Sequence, residues 1–136
     1  MKRVAGLDVG DKTIGIAISD PMRIIAQGLT TLRRTKLDDD LDVVLKILLE
    51  HDVELIVVGM PKNMNDTIGP QAQRVMNFAN RLRDKSGIEL IYQDERLTTV
   101  SANKVLIESK VRRENRKKYV DKIAATYILQ TYLDRS

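Results

Sequence analysis

The sequence predicts an α/β fold: a five-stranded mixed sheet flanked by helices. Three observations predict it. Val4 to Asp20 holds two short alternating segments around Gly10-Asp11-Lys12, and Ile24 to Leu32 a third, which together read as an antiparallel meander. Two later short runs, Glu54 to Met60 and Ile88 to Tyr92, read as further strands. Around them apolar residues recur at helical spacing, so the later part of the chain alternates helix with strand, as a parallel sheet requires.

In the first strand Ala5, Leu7 and Val9 point into a core, leaving Gly6, Asp8 and Gly10 on the other face; in the second, Ile14, Ile16 and Ile18 oppose Gly15, Ala17 and Ser19. The face carrying Asp8 is almost bare of bulk. An unpaired buried carboxylate is costly, so a lone Asp among glycines suits a metal ion better than a core. An Asx-type turn and hairpin glycines are the ordinary alternative. The pattern D-x-G-x-x-x-x-G, Asp8 to Gly15, also resembles the first phosphate loop of actin-like and sugar-kinase ATPases.

Asp20-Pro21 marks a turn before the third strand, in which Gly28 suggests a bulge or a sheet edge. Leu37, Leu41, Val44, Leu45 and Leu48 then recur at helical spacing, with Asp38, Asp39 and Asp40 where the dipole of a helix N-terminus favours acids. His51 closes this helix, as a dipole partner or solvent residue rather than a catalyst. Glu54 to Met60, ELIVVGM, has the composition of a strand buried on both faces, parallel to the first through a right-handed crossover. Pro61 to Pro70, PKNMNDTIGP, is a polar loop at a strand's C-terminal end, where open α/β sheets keep their sites.

A second helix, Gln71 to Lys85, sets Ala72, Val75, Met76, Ala79 and Leu82 on one face and stops at Gly87. Ile88 to Tyr92 is the last strand and runs into Gln93-Asp94-Glu95-Arg96, so two carboxylates, Asp94 and Glu95, stand at another strand end. Thr98 or Thr99 can cap a helix from Val100 to about Ser109. Lys110 to Lys118, KVRRENRKK, carries six basic residues against Glu114. It reads as a mobile loop able to hold a phosphate backbone. The final helix, about Tyr119 to Leu133, aligns Asp121, Ala124, Ala125, Ile128 and Leu129 on one face, with Asp121 in its first turn. The two alanines let it lie close to the sheet.

At 136 residues the chain makes one domain with its own core. It has no cysteine, which excludes disulfides and thiolate metal sites. Neither a signal peptide nor a membrane-length apolar run is present, so a soluble cytoplasmic protein is expected. The net charge of +4 favours an anionic partner; Lys110 to Lys118 contributes +5, so the remainder sums to −1 and the basicity is one patch. One Phe, four Tyr and no Trp argue against a base-stacking platform.

Asp8, Glu95 and Asp121, far apart in the chain, can converge at one rim of the sheet. A bare carboxylate cluster suits Mg²⁺ or Mn²⁺ rather than zinc. Two such ions about 4 Å apart would clamp both oxygens of a phosphodiester displacement.

The segments GLDVGDKTIGIAISD, VVGMPKNMNDTIGPQAQRV, DERLTT and YVDKIAATYILQTYLD resemble, in order and across the whole chain, those of the YqgF (RuvX) family of Holliday junction resolvases and pre-16S ribosomal RNA nucleases. The resemblance implies a ribonuclease H-like fold with strand order 3-2-1-4-5. It also implies metal-dependent phosphodiester hydrolysis with Asp8, Glu95 and Asp121 at the acidic positions. In that reading Asp8 bridges two metal ions and Glu95 and Asp121 each complete one site. Lys12 and Arg96 steady the substrate phosphate, while Asn63, Asn65, Lys110, Arg112, Arg113, Arg116, Lys117 and Lys118 track the strand. Many relatives carry a basic residue where this chain has Thr13, which puts substrate contact from that position in doubt. Two readings compete: an ATPase, for which one domain is half of what is needed, and a non-catalytic RNA- or ribosome-binding factor. RNA or branched DNA as substrate, and monomer or homodimer as assembly, both stay open.

Overall fold

In the computed structural model the meander forms as β1 (Arg3–Val9), β2 (Thr13–Ser19) and β3 (Ala26–Arg33). The structure describes residues 2–60, 69–94 and 113–135, with the backbone alone at Asp94 and residues 113–122. β3 starts at Ala26 rather than Ile24 because the preceding turn captures both isoleucines. One carboxylate oxygen of Asp20 accepts the N–H groups of Ile24 at 2.7 Å and Ile25 at 2.9 Å. These backbone groups are spent on an Asx-type turn and cannot join the ladder. Gly28 sits at a bulge, since Ile16 pairs with Thr30 and Ala17 with Gly28, and β3 is a sheet edge.

Helix α1 (Leu37–Glu50) buries Leu41, Val44 and Leu48, with Asp38, Asp39 and Asp40 in its first turn. His51 ends it, its Nδ1 2.9 Å from the carbonyl of Ile47. β4 (Val53–Met60) returns parallel to β1, buried on both faces beyond Glu54. Helix α2 (Pro70–Ser86) stops at Gly87, whose left-handed φ of 71° favours glycine. Its buried stripe includes Phe78, while Met76 is only half-buried.

β5 (Glu89–Asp94) runs two residues beyond Tyr92 and pairs parallel with β4 up to Met60 and Asp94. The last helix, α3 (Arg113–Arg135), begins six residues before Tyr119. Residues 113–118 are thus helix, not the expected loop. Arg, Lys and Glu are strong helix formers, and this stretch has no Gly or Pro to stop them. It lacks the apolar period that would have marked it. The expected helix from Val100 to Ser109 and residues 61–68 of the polar loop lie outside the described residues.

The sheet order is β3-β2-β1-β4-β5. On one face Leu7, Ile14, Ile16, Ile56 and Val58 pack under α1 and α2 against Val44, Leu48, Phe78 and Leu82. On the other, Val4, Ala17 and Val57 meet Ala125, Ile128, Leu129 and Leu133 of α3. Each such Leu or Ile is worth about 1.5–3 kcal/mol of burial, so both helical layers are held firmly. Among the described residues no helix is long and apolar enough to cross a membrane.

Candidate active site

Alternation along β1 puts Asp8 on the α3 face, with Val4 and Gly6. Asp8 is half-buried in a stretch whose neighbours are otherwise fully buried. Gly15 of β2 is its cross-strand partner. Leu7 pairs with Val58, so one rung further Asp8 falls beside Gly59, which pairs with Gln93 of β5. The carboxylate therefore stands between two glycines, near the C-terminal ends of three parallel strands, β1, β4 and β5. Gln93 closes this level by donating its side-chain N–H to the carbonyl of Ile128, at 2.9 Å, tying β5 to α3.

Gly6, a further glycine of this face, serves packing, not substrate approach. A Cβ on Gly6 would lie 2.8 Å from the carbonyl oxygen of Ala125 and 2.8 Å from Cβ of Leu129. Part of the bareness read from the sequence is thus the seat of α3. That helix runs against β1. At the start of β3, Gln130 donates to the carbonyl of Ile24 and accepts from the N–H of Ala26, each at 2.9 Å. From there Leu129 and Ala125 lie over Gly6, and the backbone of Asp121 comes one turn, about 5.4 Å, nearer the rim. Asp8 is two residues, about 6.6 Å, beyond Gly6 in the same direction. The backbone of Asp121 is thereby carried to the Asp8 end of the sheet. It occupies the third turn of α3, not the first. The helix dipole acts within the first turn only and does not account for an acid there.

Glu95 follows directly on the last residue of β5 but lies outside the described residues, as do Arg96, Asn63, Asn65, Lys110 and Arg112. Arg113, Arg116, Lys117 and Lys118 belong to the first turns of α3, with only their backbone described. Among the described residues no three His, Cys, Asp or Glu side chains gather. The one carboxylate described on the α3 face of this rim, Asp8, offers oxygen, which suits a hard cation. The single histidine is held at the end of α1, next to Asp52, whose carbonyl accepts from Arg3 at the opposite end of β1. With no cysteine in the chain, oxygen is the donor left at the Asp8 end.

Lys12 is exposed in the β1–β2 turn. Beside it Asp11 receives Arg74 of α2 at 3.0 Å, an exposed pair. Thr13 pairs across the sheet with Arg33, which is also exposed. An arginine therefore lies directly across the ladder from the position where the sequence lacks a basic residue. That cation could have been found only from the strand register, since twenty residues separate the pair.

The chain matches the RuvX family, described as Holliday junction resolvase, over residues 2–135. It belongs to that family. A Clostridium botulinum (strain Hall) relative named "Putative pre-16S rRNA nuclease" is 52% identical to this RuvX member over 132 residues, 97% of this chain and 96% of the relative. Among solved structures, RuvC of T. thermophilus in complex with a Holliday junction substrate superposes with a TM-score of 0.61 at 13% identity, covering 99% of this chain and 96% of RuvC. The fowlpox virus Holliday junction resolvase gives 0.57 at 15% identity, covering 98% and 99%. These two likenesses show a ribonuclease H-like fold, and the sheet itself has the expected strand order.

Proposed function

We propose that this RuvX chain is a divalent-metal-dependent nuclease that hydrolyses phosphodiester bonds of structured RNA, processing the 5′ end of pre-16S ribosomal RNA. The 52% identity, over nearly the full length of both chains, with a relative of that name supports the substrate. The observation that supports the site is the docking of α3 on Gly6, through Ala125 and Leu129, four and eight residues after Asp121. Asp8, Glu95 and Asp121 would hold the ions. Bound Mg²⁺ or Mn²⁺ would supply Lewis-acid stabilisation and lower the pKa of the attacking water.

The remaining work falls to the chain's cations. Lys12 and Arg96 orient the scissile phosphate, and a phosphate held in one pose reacts far faster than a freely tumbling one. Arg33 supplies a further positive charge across from Thr13. Asn63 and Asn65 contact the strand near the cut. Lys110, Arg112, Arg113, Arg116, Lys117 and Lys118 follow the backbone outward, giving affinity without sequence reading. In this reading the chain acts as a single cytoplasmic domain, and a monomer suffices.

The second reading is cleavage of a four-way DNA junction, favoured by the family's description. It requires two active sites and so a homodimer. Purified protein assayed side by side on precursor 16S RNA and on four-way junctions, with Mn²⁺ or Mg²⁺, separates the two. The proposal expects metal-dependent cleavage of the RNA. Salt-sensitive RNA binding without cleavage by either metal would instead leave a binding factor.

A further inference from the structure

The turn between β1 and β2 is held from outside itself. Within it the N–H of Gly10 donates to the carbonyl of Thr13 at 2.9 Å, as a hairpin end does. Further contacts converge on Arg34, the residue after β3. Its backbone N–H donates to the carbonyl of Lys12 at 2.8 Å, and a terminal guanidinium N–H donates to the carbonyl of Gly10 at 2.9 Å. Its Nε faces a carboxylate oxygen of Asp40 at 3.3 Å, and its guanidinium carbon lies 5.2 Å from the centre of the Phe78 ring.

Asp40 is buried and pre-aimed. Its other oxygen accepts the N–H of Thr35 at 3.0 Å and the Thr35 hydroxyl at 3.2 Å. One guanidinium thus joins the turn to α1 and α2. Only a planar fork can serve Asp40 and Gly10 together while lying near an aromatic ring; an ammonium cannot. The Arg74–Asp11 pair also reaches the turn, but both partners are more than half exposed, and such pairs contribute little.

An arginine needed only to neutralise Asp40 would not have to reach Gly10. Gly10 lies two residues after Asp8 and two before Lys12, so its carbonyl is the hinge between the two groups assigned to the chemistry. We propose that Arg34 is a positioning residue for the nuclease site: by gripping the Gly10 and Lys12 carbonyls it fixes where Lys12 stands relative to Asp8. This rests on the reading of Asp8 and Lys12 given above.

The test pairs kinetics with amide hydrogen exchange on the full chain. Arg34→Lys keeps the charge but not the fork. Arg34→Met with Asp40→Asn removes the side-chain half of the grip, the bond to the Gly10 carbonyl, without stranding a buried charge, and leaves the backbone bond from residue 34 to Lys12 in place. Both variants are expected to lose about tenfold or more in kcat on precursor 16S RNA with Mn²⁺, the scale of an ångström-sized misplacement, with KM within about twofold. Exchange should quicken at the amides of residues 10–13 and of residue 34, which donates to the turn, with the rest of the sheet unchanged. Unchanged exchange in that turn overturns the grip, whether or not cleavage is seen. Faster exchange there with unchanged kcat, or a kcat loss matched by quickened exchange across the whole sheet, overturns the positioning role. Asp8→Asn run alongside separates the two levels: if it cleaves as well as the parent chain, the nuclease reading fails, while the exchange result still decides the grip.

Discussion

Gly6 of β1 and Leu129 of α3 approach so closely that a Cβ on the glycine would lie 2.8 Å from Cβ of Leu129. The carbonyl oxygen of Ala125 is equally near. Since one of these neighbours is backbone, the helix as a whole would have to lift. Gly6→Ala is therefore expected to cost about 1–3 kcal/mol, the range for overpacking, read by chemical denaturation. It should also lower nuclease activity more than Ile16→Val on the opposite face, a change that costs about 0.5–1.5 kcal/mol. Equal activity at equal stability would mean that the height of α3 does not govern the site.

Asp20 is expected to make stability depend on pH at the far end of the sheet. Its carboxyl is held below the ordinary carboxylate value, chiefly by the N–H of Ile25 and, less, by that of Ile24. The charged form is favoured in the folded state, so the contribution is present above the unfolded value near 3.8 and lost as pH falls through the lower folded one. Asp20→Asn should lower Tm near neutral pH, and the gap to the parent chain should close on acidification below that value. A gap that stays constant with pH would contradict this.

The basic start of α3 should appear in the salt dependence of binding. Replacing Lys117 and Lys118 by alanine removes two cations from that segment. If both meet phosphates, the slope of log affinity against log salt should become shallower by about 1.4 for a single strand, or about 1.8 for a duplex. Fluorescence anisotropy on labelled RNA measures it, and an unchanged slope removes both residues from the interface.

Much of this architecture was legible in the sequence, and the exceptions have physical reasons. Alternation identified β1 and β2, and the 3.6-residue period identified α1 and α2. Gly87 marked the end of α2 because its left-handed conformation leaves few other residues possible. Ile24 and Ile25 look like strand residues by composition, yet Asp20 takes their N–H groups, so side-chain capture overrode propensity. Residues 113–118 look like loop because charge hides helix where no apolar stripe accompanies it. Asp8 stood out because a carboxylate on an apolar strand is expensive. Arg34 and Arg33 did not, because their partners Gly10, Asp40 and Thr13 become neighbours only through the β2–β3 register and the docking of α1.

The proposed chemistry requires divalent ions to be seated by Asp8, Glu95 and Asp121 together. Paramagnetic broadening by Mn²⁺, followed residue by residue in the NMR spectrum of the labelled chain, tests this most directly. Resonances at 8, 95 and 121 should broaden at the same low Mn²⁺ concentration, and all three should be spared in Asp8→Asn. Broadening at only one of them, or broadening that survives Asp8→Asn, would contradict it.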